Sequence, residues 1–180
     1  MWSFSPLTTT HQLQYPITEL GIKKGGYLYH QSNSNGLGGI VNNIIIEVCE
    51  SSLNADLLKK KLNFEGCGAI VSFIGITRDM EDGEKVLRLE FDAWRDQLKP
   101  TLQKIAENTI NEFGISGVAI AHRVGIVGPQ ENIVAIHVCS AHRKEAFLAC
   151  SHIIDELKKQ APLWKKEVTE SGATWKEGLG

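Results

Sequence analysis

Four lysines bracket a short apolar run in the stretch LKKQAPLWKKE, Leu157 to Glu167. An ammonium held beside packed apolar surface loses hydration, so its pKa falls and it becomes suited to nucleophilic, proton-transfer or charge-stabilising work. Lys165 directly follows Trp164, and a tryptophan packed on the core would hold that lysine against it. Lys158 falls in the last turn of a predicted helix, where a positive charge also complements the helix dipole for purely structural reasons. Lys159 and Lys166 read as ordinary surface charges on residue type alone.

A second basic group sits in SAHRKEAF, Ser140 to Phe147. A strand ends there and a helix begins, and a helix N-terminus offers free N–H groups to an anion. His142 and Arg143 add charge that opposes the dipole unless an anion neutralises it. Two readings are open: an anion site, or side chains that face solvent or pair with Glu145. Arg78 follows Gly75-Ile76-Thr77 at the exit of an apolar strand, where polar residues are common for solvation alone. Glu81, Asp82 and Glu84 around Gly83 read as a solvated turn, and His122 and His137 as core or edge histidines within strands. No GxxxxGK[ST], GxGxxG or GxSxG occurs, and no His/Cys spacing points to zinc, so neither metal nor cofactor is expected.

The elements that must position these groups are legible from residue 43 onward. IIIEV reads as a strand, and Asn54 caps a short helix through Leu62. Gly66–Arg78 is a β-branched run with a tight exit. In VLRLEFDA, Leu87, Leu89 and Phe91 alternate with polar residues, the mark of a half-buried strand. Leu98, Leu102, Ile105, Ile110 and Phe113 make an amphipathic helix over Asp96–Phe113. GVAIAHRVG and NIVAIHVCS are strands separated by the Gly128–Pro129 turn. A second long helix runs from about His142 to Lys159, stopped by Pro162, since the residue before a proline avoids the α region. KKEVTE and ATWKE close the chain as short strands or loops. Strand pairs and helices mix without regular βαβ alternation, so the expected class is α+β. Residues 1–41, rich in Ser, Thr, Asn and Gly, read as a poorly ordered extension with at most a weak strand at Gly26–His30, and residues 42–180 as the domain.

Bulk properties narrow the functions. A chain of 180 residues can bury a core without staples, and a net charge of −2 gives no general attraction to nucleic acid or anionic membrane. Any anion site must be a local concentration of positive charge. Cys49, Cys67, Cys139 and Cys150 lie in apolar stretches and read as buried, reduced thiols. No apolar run approaches a membrane span and no secretory signal is visible, so a cytoplasmic location is expected.

In order along the chain, GAIVSFIGITRD, SAHRKEAF, LKKQAPLWKKE and a late GATWKE resemble the large, catalytic subunit of molybdopterin synthase. The resemblance covers about Asn43 to Gly178. It implies an α/β-hammerhead-like domain with mixed and antiparallel sheets and two long helices. It also implies a sulfurtransferase of molybdenum cofactor biosynthesis that converts cyclic pyranopterin monophosphate to molybdopterin. The sulfur donor would be the C-terminal Gly-Gly thiocarboxylate of a small ubiquitin-like partner, in a heterotetramer built on a homodimer of this chain. By motif position, Lys158 and Lys165 match the catalytic lysines, and Arg78, His142 and Arg143 the substrate-phosphate residues. Ile76, Thr77, Lys166 and Glu167 fall in stretches that line the same pocket.

Helix length adds one expectation. Arg143 and Lys158 are fifteen residues apart on one helix, about 22 Å at 1.5 Å per residue. A small pterin does not bridge that distance, so the phosphate groups of one chain should meet the lysines of another. Two rival classes remain. A non-enzymatic module would hold the partner's carboxylate tail without chemistry. A nucleic-acid binder would need a wider basic surface than this composition offers.

Overall fold

The computed structural model describes residues 43–176 and 178. The extension expected at residues 1–41, with its strand at Gly26–His30, lies outside them. In chain order the elements are β1 (Ile44–Cys49), α1 (Ala55–Lys59), β2 (Ala69–Ile76), β3 (Met80–Glu81), β4 (Glu84–Ala93) and α2 (Arg95–Phe113). There follow β5 (Gly117–Arg123), β6 (Gly125–Val127), β7 (Asn132–Ser140), α3 (Arg143–Gln160), β8 (Leu163–Thr169) and β9 (Ala173–Lys176).

Two sheets carry the fold. The first has the order β1-β5-β7-β2, with β1 parallel to β5 and the other pairs antiparallel. The second runs β3-β4-β8-β9, all antiparallel, and β6 adds to β4. Mixed sheets and two long helices make this the α+β fold that the patterning implies. Among the described residues no helix is long and apolar enough to cross a membrane.

Local chemistry sets the boundaries. The Asn54 side chain accepts from the Leu57 amide at 3.0 Å and starts α1. Gly114 takes the left-handed conformation that ends α2, with its N–H on the Ile110 carbonyl. Ala161 is extended (φ −65°, ψ 125°) because Pro162 follows, so α3 stops and the chain turns at once into β8. The main core lies between the first sheet and the long helices. Val118, Ile120, Ile136 and Val138 meet Leu98, Leu102 and Ile105 of α2 and Ala146, Ala149, Ile153 and Leu157 of α3. The opposite face of the first sheet offers small residues, Ala119, Ala121 and Ala135, on which α1 packs through Leu58.

Three packing expectations need correction. Leu87 is exposed, because the register of β4 against β8 shifts between Val86 and Arg88 and the bulge turns Leu87 outward while Val86 is buried. Cys49 and Cys67 are half-buried, and only Cys139 and Cys150 are buried; all four are free. Trp164 is 53% exposed and does not anchor the chain after α3. Strand alternation along β8 buries Leu163 instead, and Leu157 secures the end of α3.

Candidate active site

The period of two along β8 sorts the lysine cluster. Lys165 and Glu167 face inward with Leu163, while Trp164 and Lys166 face the other side. The inward face closes one wall of a cavity of about 340 Å³. Leu89 and Phe91 of β4 lie beside Lys165 and Glu167, and Val134, Ile136 and His122 of the first sheet form the opposite wall. Ile154, Leu157 and Lys158 contribute from the end of α3, and Gly75, Ile76, Thr77 and Arg78 from the exit of β2. That exit carries a second register irregularity, between Gly75 and Ile76, that re-aims the chain. Three basic residues, Phe91 and His122, from five separated segments, therefore meet around one half-apolar hollow.

Ion pairing separates the lysines a second time. Lys159 pairs with Glu156 at 2.9 Å, Lys166 with Glu90 at 3.1 Å, and Lys176 of β9 with Glu167 at 2.8 Å. Among the described residues neither Lys158 nor Lys165 makes such a pair, and these are the two that line the cavity. Burial pushes the Lys165 ammonium below the ordinary lysine range, the charges of Arg78 and Lys176 act in the same direction, and Glu167 and Glu81 oppose it. Arg78 is exposed at the rim and pairs with Glu81 at 2.6 Å, so Glu81 is tied to the site's edge and is not a simple solvated turn residue. Thr77 is 2% exposed; its backbone bonds to Glu131 and Gln130, and its hydroxyl has no partner among the described residues.

Of the residues singled out in the sequence, Ile76, Thr77, Arg78, Lys158, Lys165 and Glu167 come together here. Lys166 does not: its side chain leaves the opposite face of β8 toward Glu90, because adjacent strand residues point to opposite sides. His142 and Arg143 line a separate, more open depression with Gly68, Ala141, Lys144 and Glu145, at the far end of α3. His142 is the N-cap of α3 but makes no side-chain capping bond. Neither residue pairs with Glu145, whose Oε2 has no hydrogen-bond partner among the described residues.

The sequence reading missed the walls. Phe73, Phe91 and His122 read there as core, and no local pattern distinguishes a core position from one that borders a cavity. The described residues contain no group of three or more His, Cys, Asp or Glu side chains placed to hold a metal ion.

The model of the MoaE protein family matches residues 48–160. The chain belongs to the MoaE family. The matched span holds Arg78, His142, Arg143 and Lys158 and ends before Lys165. The chain is similar to the molybdopterin synthase catalytic subunit of Thermoplasma volcanium, at 35% identity over 130 residues, 72% of this chain and 95% of that protein. It is also similar to the crystal structure of molybdopterin synthase from Staphylococcus aureus, with a TM-score of 0.67 and 30% identity over 75% of this chain and 96% of that one. A complex of subunits 1 and 2 of the molybdopterin-converting factor from Helicobacter pylori shares the fold, with a TM-score of 0.60 at 24% identity over 72% of this chain and 88% of that one.

Proposed function

We propose that this MoaE-family chain is the catalytic subunit of a molybdopterin synthase. In this reading it converts cyclic pyranopterin monophosphate to molybdopterin with sulfur from the thiocarboxylated tail of a small partner. The name its relatives carry, a catalytic subunit, calls for at least one further subunit. One observation carries the reading: of the lysines around Ala161–Trp164, the two that line the cavity are the two left without a carboxylate partner among the described residues. An unpaired ammonium on a half-apolar cavity is arranged to receive a negative charge that arrives with the reactants.

Lys158, at the mouth, would orient and activate the incoming thiocarboxylate. Lys165, deeper and partly desolvated, would stabilise negative charge as the sulfur attacks and the cyclic phosphate opens. Arg78, at the rim, is suited to the substrate's phosphate, and Ile76, Thr77 and Glu167 complete the wall. Four free cysteines are in keeping with a reducing cytoplasm and with sulfur supplied by the partner.

The separation of His142 and Arg143 from this cavity supports a site shared between two copies. β2 pairs with β7 on one side only, so its other edge is unpaired among the described residues, and Ile70 and Ile74 on it are 43% and 40% exposed. One end of β2 lies beside the His142 depression, through Gly68 N–H on the Ser140 carbonyl at 3.0 Å. The other end runs into Thr77 and Arg78. Eight residues of strand span about 26 Å, close to the 22 Å between the basic ends of α3. Two β2 edges paired antiparallel about a twofold axis would set the His142 depression of each chain against the cavity of the other. The whole assembly is then a homodimer carrying two small partners.

The test is reconstitution: purified protein, the thiocarboxylated small partner and cyclic pyranopterin monophosphate, scored for dithiolene product. Product is expected. No product from folded, partner-bound protein contradicts the enzyme reading.

A further inference from the structure

His122 is placed to do more than fill the core. It lies on β5, on the face shared with Val118 and Ile120, and it borders the cavity opposite Phe91. Its ring meets that of Phe91 edge to face, with centroids 5.4 Å apart and planes at 79°, which fixes the imidazole plane. Nδ1 lies 2.7 Å from the Arg123 carbonyl oxygen. A carbonyl only accepts, so Nδ1 carries the hydrogen and Nε2 presents a lone pair. Among the described residues Nε2 has no hydrogen-bond partner, and it is not one of the fully enclosed orphan atoms. Burial also pushes His122 down to about 4, so the ring stays neutral at physiological pH.

We propose that His122 is a specificity-determining residue whose Nε2 accepts a hydrogen bond from a ring or exocyclic N–H of the pterin. This rests on the function proposed above and orients the substrate within it. A neutral acceptor offers nothing to a phosphate or a thiocarboxylate, both of which are themselves acceptors. The heterocycle therefore points toward His122, and the phosphate toward the basic rim at Arg78. Val134 and Ile136 share the wall with His122 and Phe91 stands across from them, apolar surfaces suited to the faces of a flat ring system.

The experiment measures binding of cyclic pyranopterin monophosphate, and separately of inorganic phosphate, to the partner-bound protein by calorimetry. His122→Phe keeps the ring and removes the acceptor, and His122→Gln restores one. The expected result is pterin affinity lowered about tenfold to a hundredfold in His122→Phe, largely recovered in His122→Gln, with phosphate affinity unchanged in both. In wild-type protein labelled with ¹⁵N histidine, the Nε2 resonance of His122 moves on pterin binding while Nδ1 remains protonated. That second readout needs no variant to fold. Unchanged pterin affinity in folded His122→Phe, or an Nε2 resonance that does not move on saturation, overturns the proposal. If wild-type protein does not bind the pterin at all, the functional reading itself fails and the role of His122 fails with it.

Discussion

Lys158 and Arg143 stand at opposite ends of α3 and border two different hollows, one deeper and half-apolar, the other more open. The helix that joins them runs unbroken through eighteen residues, so neither can reach the other's hollow within one chain. What links them is the twofold pairing of chains proposed above, in which one element serves as the back of one site and the front of the other.

Within the cluster around Pro162, lysines that line the cavity and lysines that do not should behave differently. Lys158→Ala removes an exposed, unpaired charge from the cavity mouth. Dithiolene formation should fall about a hundredfold or more, the scale for loss of one charge-stabilising group, while thermal stability stays near wild type. Lys166→Ala breaks only the pair with Glu90 on the far side of β8. It should leave turnover within about twofold and lower stability only slightly, as solvent-screened ion pairs contribute little. Steady-state turnover and a melting curve for each variant check both; equal loss of turnover in the two would contradict the facing assigned to β8.

Lys165 has a pH signature. Its proposed role is as a cation, and burial holds its pKa below the ordinary value of 10.5. Raising the pH therefore removes its proton sooner than from a surface lysine, and the alkaline limb of kcat/KM should begin below 10.5. The same shift makes the fold slightly more stable as that proton leaves, so the limb reports chemistry and not unfolding. Lys165→Arg keeps the charge and should carry the limb to higher pH, at a reduced maximal rate. A limb that stays in place in Lys165→Arg assigns it to another group.

Gly68 ties β2 to the SAHR turn. A Cβ there would stand 2.5 Å from the Ala141 carbonyl oxygen, a backbone atom with little freedom to withdraw. Gly68→Ala should destabilise the protein by about 1–3 kcal/mol and displace His142 and Arg143. Its KM for the pterin should rise in parallel, which denaturant titration and steady-state kinetics measure together.

Sequence made the chemistry-bearing residues legible but not their facing. The helix stop at Pro162, the cap at Asn54 and the apolar runs of β5 and β7 are local effects, and they lie where the residue pattern places them. The side on which Lys165 and Lys166 emerge depends on which residue of β8 is buried first. Apolar size favours Trp164, but the packing against Leu157 and β4 selects Leu163. The bulge that expels Leu87 and the short β6 strand beside β4 arise from tertiary pairing and leave no mark in the residue pattern. His122 illustrates the same limit: a histidine in an apolar strand reads as core until the cavity beside it is known.

The most direct test of a shared site is complementation between two inactive chains, Lys158→Ala and Arg143→Ala, co-folded and assayed with the small partner. In a mixed dimer with shared sites, one site carries both defects and the other carries neither. Random assortment makes half of the dimers mixed, so activity should recover to about a quarter of wild type. If each chain holds a complete site of its own, every site in the mixed dimer carries one defect, and activity no higher than that of the separate variants would contradict the account.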